Sequence, residues 1–427
     1  MKILMLTPRF PYPPNRGDTV RSWSELEFLA RRHDVWLASL NERRPPEADI
    51  DKLRRICGGV AVLTRSHWHA LLRGAWSLLR GKSLNEGYFR NSDLEQVVRQ
   101  WTRTVRFDAV LAFTTAMAPA AEMVHTRRVL DMCDVDSCKW EAYGWQSRSP
   151  LRWLYQLEGA RLRRAERRWC RTHDATVIVN RRELGKLHAI AHPLCTEVLP
   201  TCVELPDDVS ETLPREPIVG CIGSMFYPPN VRGANWFGQE VWPLVKRRVP
   251  AAQWWIVGQR PARSVRRWGS EPGVRVVGMV PDVRPYLDAL RVFINPVTGD
   301  LGIQSKVLGA MAAGKACVVT PETAAGIDCD ASAPFLIARR PEDFADAVAR
   351  LLEDDKLTLD LARRGRETIA RHYRPDSQMW QLERALSGDV TAKADAIRRL
   401  VPDDLPDSGG VHRSGERSVA EEVETRA

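Results

Sequence analysis

Short runs of apolar residues alternate along this chain with longer segments in which apolar residues recur every three or four positions. The short runs predict buried strands, and the longer segments predict amphipathic helices. The predicted strands are 3–6, 35–40, 60–63, 109–113, 129–132, 176–179, 218–222, 254–257, 274–277, 292–294, 317–319 and 335–337. Strands and helices that alternate from start to finish indicate α/β architecture with parallel sheets.

A proline- and acid-rich segment, 199–217, separates the two halves of this alternation. Two Rossmann-like domains that face each other across a cleft are the simplest arrangement, and 427 residues suffice for two sizeable cores. We expect an N-terminal domain at 1–205 and a C-terminal domain at 206–388, whose last helix crosses back to the first domain. Residues 389–427 contain no aromatic residue and predict a disordered tail.

Residues 300–327 carry the most specific pattern in the chain. Gly302 permits a close backbone approach, 303–305 predict the start of a helix, and Lys306 lies in its first turn. The free N–H groups of a helix start, with a lysine beside them, favour an anion such as a diphosphate. An ordinary helix–strand unit with a solvated lysine has the same pattern.

The run 302–319 resembles the donor-nucleotide segment of retaining GT-B glycosyltransferases, which reads Glu-x7-Glu before Ala-Met-Ala-x-Gly-x-Pro-Val-Val. Gly-Ile-Gln-Ser-Lys-Val-Leu at 302–308 is similar, more narrowly, to the sugar transferases associated with PEP-CTERM/exosortase exopolysaccharide systems. The resemblance implies the GT-B fold, retention of anomeric configuration and no metal requirement. It also implies that Lys306 is catalytic and stabilises the leaving diphosphate.

The run departs from the family pattern at three positions. The two glutamates of Glu-x7-Glu fall on Leu301 and Gly309, and Ala316 replaces the proline. In the family the second glutamate holds the ribose hydroxyls of the nucleotide. The affinity for the donor, or its identity, is therefore in question.

The first strand is followed by Pro-Tyr-Pro-Pro-Asn-Arg-Gly-Asp-Thr-Val-Arg at 11–21, which predicts a stiff loop with Asp18 as the N-cap of a helix. Such a loop lies at the carboxyl end of the sheet, where ligands bind. It is also similar to the opening of the exosortase-associated transferases. We place Gly17 at the donor, Asp18 on the acceptor side and Arg21 in the cleft as a second catalytic group; a capped helix with a surface arginine is the alternative.

Asp134-Val-Asp136 follows another predicted strand. Asp-x-Asp is a metal site in the other major glycosyltransferase fold, but residues 49–51 and 328–330 match it as well. The segment resembles an Asp-x-x-Asp-x-Asp-Ser-x-x-Trp run of the exosortase-associated group, so we expect an acceptor-side polar cluster without a metal. Thr115 belongs to the same side; in many retaining GT-B enzymes a histidine near this point meets the sugar, and none is present here.

The second domain opens with Gly-Ser-Met-Phe-Tyr-Pro-Pro-Asn at 223–230, which resembles a pattern of the same transferases. Gly223 and Ser224 let the backbone approach a ligand, and Asn230 is expected to cap a helix at 231–248. In the wider family the following strand edges form the base pocket. The donor-side candidates are Gly17, Gly223, Ser224, Asn230, Gly258, Val280, Gly302, Ile303, Gln304, Ser305 and Gly309.

The composition of the chain indicates which classes of binding partner to expect. A net charge of +9 suits phosphorylated small molecules or an anionic membrane surface, and without a recognisable nucleic-acid-binding signature no nucleic acid is expected. Nine cysteines without Cys-x-x-Cys spacing predict reduced thiols rather than a zinc site or a disulfide framework. No apolar run is long enough to cross a bilayer, and the start of the chain does not read as a signal peptide. We expect a cytoplasmic protein, with the inner face of the plasma membrane as a further expectation.

Two predicted helices have patterns that allow contact with a membrane surface. Residues 67–80 place tryptophans and leucines on one face between basic flanks, and 151–170 place six arginines opposite apolar residues. Either helix fits an anionic lipid surface. The helix at 67–80 could equally pack in the protein core, and the helix at 151–170 could equally present an ordinary solvated face.

The sequence as a whole predicts a glycosyltransferase that moves a sugar from a nucleotide-diphosphate donor to a polysaccharide or lipid-linked acceptor. The nucleotide sugar is a substrate, and no separate cofactor is expected. Two alternatives remain. The first is a catalytically impaired GT-B protein that acts as the partner of another transferase, and the second is a sugar-nucleotide epimerase.

Overall fold

The computed structural model describes residues 1–14, 16–146, 152–210, 212–299, 302–330 and 332–388. Leu301 and the predicted tail at 389–427 lie outside the described residues. The described chain forms two all-parallel sheets, one of seven strands and one of six. The expected α/β architecture with two Rossmann-like domains is confirmed.

The N-terminal sheet has the order β3-β2-β1-β4-β5-β6-β7. Its strands are β1 Lys2–Thr7, β2 Asp34–Asn41, β3 Gly59–Thr64, β4 Ala109–Phe113, β5 Arg127–Cys133, β6 Ala175–Ile178 and β7 Thr196–Val198. The helices are α1 Gly17–Ala30, α2 Glu47–Arg54, α3 His67–Leu79, α4 Leu84–Phe89, α5 Ser92–Thr104, α6 Ala118–Ala121, α7 Asp136–Gln146, α8 Arg152–Thr172 and α9 Arg181–Ile190.

The C-terminal sheet has the order β10-β9-β8-β11-β12-β13. Its strands are β8 Ile218–Ile222, β9 Gln253–Val257, β10 Val274–Gly278, β11 Val292–Asn295, β12 Ala316–Val319 and β13 Leu336–Ile337. The helices are α10 Pro228–Trp236, α11 Trp242–Arg248, α12 Arg263–Arg266, α13 Arg284–Ala289, α14 Ser305–Ala312, α15 Pro321–Ala324, α16 Pro341–Glu353, α17 Asp355–His372, α18 Pro375–Gln378 and α19 Trp380–Ser387.

The central strands are buried on both faces, which explains why they read as continuous apolar runs. Every residue of β4 is buried, as are all four residues of β11 and β12. Each predicted strand is present, with ends shifted by at most two residues. Only β7 was missed, because three residues with a central glutamate give no apolar run.

The last helix, α19, packs against the first domain. Leu382 and Leu386 are buried in the core of the N-terminal domain. Arg127 donates from Nε to the carbonyl of Ala385 at 2.7 Å, and Arg384 pairs with Glu197 of β7. The two domains are therefore held by the connection near 200–217 and by this helix.

Two predicted helix starts were wrong. Helix α1 begins at Gly17 with Arg16 at the N-cap, so Asp18 lies inside the first turn. Its negative charge still stabilises the helix there by interacting with the positive end of the helix dipole. Helix α10 begins at Pro228, because a proline is readily accommodated in a first turn. Asn230 is thus inside the helix, which frees its side chain for other contacts. The segment 231–248 is also not one regular α-helix, since a π-helical turn occupies Phe237–Val241.

Both sheets reverse their strand order beside their first strand, between β1 and β4 and between β8 and β11. At such a switch point the following loops diverge to opposite faces and leave a crevice at the carboxyl ends of the strands. The loops in question follow β1 and β4 in one domain and β8 and β11 in the other. Both crevices hold predicted site residues.

Candidate functional site

The centre of the C-terminal crevice is Lys306, in the first turn of α14. Its Nζ donates to Oδ1 of Asn230 at 2.6 Å, and no carboxylate pairs with it among the described residues. Burial lowers the pKa of this lysine to about 8, only partly offset by the nearby Cys221 thiol. A partly buried cation without a counter-ion, beside the unpaired N–H groups of a helix start, is a site prepared for an anion.

Asn230 is held in place from its other side, because its Nδ2 donates to the carbonyl of Ser224 at 3.1 Å. Its position inside the helix directs the amide back over the loop that follows β8. The Oδ1 atom therefore faces Lys306 as a neutral acceptor that orients the cation without neutralising its charge.

Gly223 and Gly258 show why this crevice needs glycines. Both have positive φ, 157° and 154°, which side chains disfavour. A Cβ on Gly258 would lie 1.7 Å from the carbonyl oxygen of Gly223, and a Cβ on Gly223 would lie 2.9 Å from Nδ2 of Asn230. The two loops therefore pack backbone to backbone, and Gln259 donates to Oγ of Ser224 at 3.3 Å.

The two domains meet directly above this crevice. A Cβ added to Gly17 would lie 3.6 Å from Oγ of Ser305, across the cleft. A Cβ on Gly302 would lie 2.1 Å from Oδ1 of Asp134. Gly17 and Asp134 of the first domain thus face the start of α14, and the cleft is narrow at this point.

Asp134 belongs to a polar chain on the N-terminal side of the cleft. Lys139 donates from Nζ to Oδ2 of Asp134 at 2.6 Å and lies 3.6 Å from Oδ1 of Asp136. Burial alone would lower the pKa of Lys139, but these two carboxylates raise it above its usual value. Thr115 is fully buried and donates to Oδ2 of Asp136 at 2.7 Å. The structure therefore brings Thr115, Asp134 and Asp136 together, linked by a lysine that the sequence analysis missed.

A cavity of about 260 Å³ opens beside this chain at the N-terminal switch point. It combines aromatic side chains with hydroxyl, amide and carboxylate groups, a lining typical of sites that bind sugars. Its residues are Pro8, Arg9, Asp18, Asn85, Phe89, Thr114, Thr115, Ala116, Asp136 and Trp140. Asp18 is held there by Arg9, whose NH1 donates to its Oδ2 at 2.9 Å. Asn85, Phe89 and Trp140 were missed, because the helices that carry them have no motif.

Thr114 marks the same crevice by its backbone. Its φ is 66°, a conformation that costs a β-branched residue free energy. The strain turns the chain at the end of β4 and presents the 114–116 segment to the cavity. The sequence Thr-Thr contains no signal of this conformation.

Arg21 does not reach the cleft. It is only 3% exposed, donates from Nε and NH2 to both oxygens of Asp131 at 2.7 and 3.0 Å, and donates from NH1 to the carbonyl of Leu199 at 2.6 Å. Glu25 also lies within 3.0 Å of its Nε. The expectation that Arg21 assists catalysis from the first domain is therefore not supported. The side chain instead fixes α1 to β5 and to the start of the interdomain connection.

The remaining donor candidates lie at or within α14, except Val280. Gln304 is the N-cap residue of α14 and donates to the carbonyl of Gly302 at 3.2 Å. Ile303 is half-buried and packs against the core under α14. Val280 is half-buried beyond β10, and Gly309 lies in α14 with no atom within 4 Å of an added Cβ. Gly309 therefore faces open space.

The described residues contain neither a metal-binding cluster nor a membrane-spanning helix. No group of three or more His, Cys, Asp or Glu side chains there is arranged to hold a metal ion. No described helix combines the length and the apolar composition that a bilayer crossing demands.

Comparison with known proteins agrees with this geometry. Residues 216–354 match the model of the family described as "Glycosyl transferases group 1". The match lies within the C-terminal domain and covers most of it. The matched residues include both switch-point loops of this domain together with Asn230 and Lys306. Among curated proteins no sequence relative was found.

Solved structures show the fold of the whole chain. HepE of Anabaena, solved with UDP-glucose, is 15% identical with a TM-score of 0.62, over 91% of this chain and 100% of its own. TarM of S. aureus, solved with UDP, fondaparinux and α-GlcNAc-glycerol, is 11% identical with a TM-score of 0.62, over 90% and 99%. Sucrose-phosphate synthase of Thermosynechococcus elongatus is 13% identical with a TM-score of 0.64, over 94% and 99%. The chain has the GT-B fold.

Proposed function

We propose that this glycosyltransferase moves a sugar from a nucleoside-diphosphate donor to a glycan or lipid-linked acceptor, with retention of configuration, in exopolysaccharide or cell-envelope glycan synthesis. The observation that carries the proposal is Lys306, a cation at a helix start in the C-terminal crevice that has no counter-ion among the residues the structure describes. The solved structures of HepE and TarM contain UDP, so UDP is the first nucleotide to test. The sugar transfer would take place in the cytoplasm, at the inner face of the plasma membrane.

The reaction breaks the bond between the anomeric carbon and the diphosphate oxygen, and the bonding electrons leave with the diphosphate. A bond forms between the anomeric carbon and an acceptor hydroxyl oxygen, whose proton passes to a diphosphate oxygen. Lys306 and the N–H groups at the start of α14 stabilise the developing charge. A protein cation thereby supplies the stabilisation without a metal ion.

The acceptor would lie in the cavity beside Thr115 and Asp136, on the opposite side of the cleft from the donor. The aromatic faces of Phe89 and Trp140 suit the apolar face of a sugar ring, and the carboxylates of Asp18 and Asp136 suit its hydroxyls. Closure of the domains where Gly302 meets Asp134 would exclude water from the donor.

The test is calorimetric titration of the protein with UDP, GDP and their common sugar conjugates. Lys306→Met is the site variant, and Lys315→Met, just beyond the other end of α14, is its matched control. We expect one nucleotide to bind to the wild type and to Lys315→Met but not to Lys306→Met. A folded wild type that binds no nucleotide would contradict the proposal.

The absence of the ribose-binding glutamate at Gly309 favours a second candidate, a GT-B protein that has lost activity and serves another transferase. The same titration separates the two. An impaired protein would bind neither nucleotide nor nucleotide sugar at concentrations where an active enzyme is saturated.

A further inference from the structure

Helix α3 has an inverted arrangement of small and large residues. The side that faces the protein consists of Ala70, Gly74 and Ser77, which are buried. The tryptophans and leucines point outward: Trp68 is 76% exposed, Leu72 68%, Trp76 56% and Leu79 80%. A helix that only packs in a globular protein buries its large apolar face, so this stripe needs another explanation.

The inverted arrangement follows from how α3 packs against α4. Gly74 receives the side chain of Leu84, and the backbone of Gly87 lies against the carbonyl of Arg73. Helix α8 fixes the pair further, because Glu158 accepts from the backbone N–H groups of Leu84 and Asn85 at 2.6 and 2.9 Å. The small residues thus bring the helices close together, and the orientation of α3 is set by the fold.

The surroundings of the stripe are cationic. Arg80 and Lys82 are exposed at the end of α3 without an ion-pair partner among the described residues, and Arg80 lies 4.9 Å from the ring centre of Trp76. From 65 to 85 the sequence contains no Asp or Glu. Exposed tryptophan and leucine between cations is the arrangement by which a helix lies in the interface of an anionic bilayer.

We infer that α3 is the element by which this protein docks on an anionic lipid surface. The stripe of four residues spans about 17 Å along the helix, and all four can enter the interface together because they recur at intervals of four, four and three. A symmetric dimer through this face would bring the cations of two copies together with no carboxylate from 65–85 between them. The charges therefore favour lipid over a second copy of the chain.

Docking there would place the cavity near the bilayer. Asn85 and Phe89 of α4 line that cavity, and α4 packs directly against the inner side of α3. An acceptor presented at the membrane surface would then approach the cavity from the α3 side. This placement rests on the proposed function, whereas the docking surface itself does not.

The experiment is vesicle flotation with the full chain and no nucleotide. Vesicles of phosphatidylcholine with phosphatidylglycerol are compared with vesicles of phosphatidylcholine alone, at low and high salt. We expect binding to the anionic vesicles, a roughly tenfold or greater loss in Trp68→Ser/Trp76→Ser, and a loss of roughly fivefold for each charge removed in Arg80→Gln and Lys82→Gln. Leu194→Ser, an equally exposed leucine far along the chain, should bind as the wild type does.

Three results would overturn the inference. The first is the absence of vesicle binding, or binding that the tryptophan substitutions leave unchanged. The second is a dimer in light scattering that the same substitutions dissociate, which would assign the stripe to a second copy. The third is a lower Tm in Trp68→Ser/Trp76→Ser than in Leu194→Ser, which would show that protein covers the stripe. Because no nucleotide is present, these outcomes are distinct from a failure of the proposed sugar transfer.

Discussion

Lys306 Nζ donates to Asn230 Oδ1 at 2.6 Å, across the gap between α14 and α10, the helices that follow β11 and β8. The pair joins two residues 76 positions apart and provides the crevice with a cation that no carboxylate of the described residues neutralises. An amide partner orients the ammonium group, whereas an acid would have paired with it and weakened its attraction for a ligand. With an amide as its partner, Lys306 keeps its positive charge available for an anion.

Nucleotide affinity should decrease at alkaline pH. The pKa of Lys306 is lowered to about 8 by burial, and a bound diphosphate would raise it again. Binding above that pH therefore requires uptake of a proton, so the Kd of UDP should rise roughly tenfold per pH unit above about 8. Titration calorimetry from pH 7 upward measures this. In Lys306→Met the Kd should be weak and independent of pH; an equally steep dependence in that variant would assign the proton to another group.

Lys306→Met should stabilise the free protein. The unfolded lysine, with a pKa near the ordinary value of 10.5, holds its proton more tightly than the folded one, so the wild type gains stability as pH rises from about 8 to about 10.5. At pH 7 the variant should therefore show a free energy of unfolding higher by about 1–2 kcal/mol, after allowance for the partial exposure of the side chain. Chemical denaturation at pH 7 and pH 10 checks the sign. A less stable variant at pH 7 would mean that packing around Asn230 outweighs the desolvation of the charge.

Gly309→Glu should increase the affinity for the nucleotide. An added Cβ meets no atom within 4 Å, and a glutamate there would restore the group that holds the ribose in the family this chain resembles. We expect a roughly tenfold lower Kd, as one or two hydrogen bonds to a charged group would give.

Gly309→Ala is the matched control, because it supplies helix propensity without a carboxylate. It should raise the free energy of unfolding by about 1 kcal/mol and leave the Kd unchanged. Equal affinities in the alanine and glutamate variants would show that the ribose does not lie over this position.

Arg21→Met should destabilise the N-terminal domain. Asp131 and Glu25 are both fully buried, and burial together with the Asp131 carboxylate raises the pKa of Glu25 well above its usual value. Removal of the arginine leaves Asp131 buried without its cation, at a cost of about 3–5 kcal/mol. Chemical denaturation should show this loss, whereas Arg31→Met, at the exposed C-cap of the same helix, should be neutral. A variant of unchanged stability that binds nucleotide but transfers no sugar would return Arg21 to a catalytic role.

The fold could be predicted from the sequence because parallel strands that are buried on both faces consist almost entirely of apolar residues. Residues 109–113 and 218–222 are continuous apolar runs, and both are strands with the predicted ends. The position of Lys306 in a first turn was also predictable, since a glycine before and after delimits a short helix. Where a short helix starts and ends depends on only a few neighbouring residues.

Contacts between distant segments were decided by the tertiary structure alone. The burial of Arg21 depends on Asp131 and Leu199, more than a hundred positions away, and the partner of Lys306 depends on where α10 begins. The apolar periodicity of α3 could be recognised in the sequence. Whether its tryptophans face the core or the solvent depends on Gly74 and Gly87, which let α3 and α4 pack closely. Periodicity specifies that a helix has two faces, and only packing against the rest of the chain determines which face is covered.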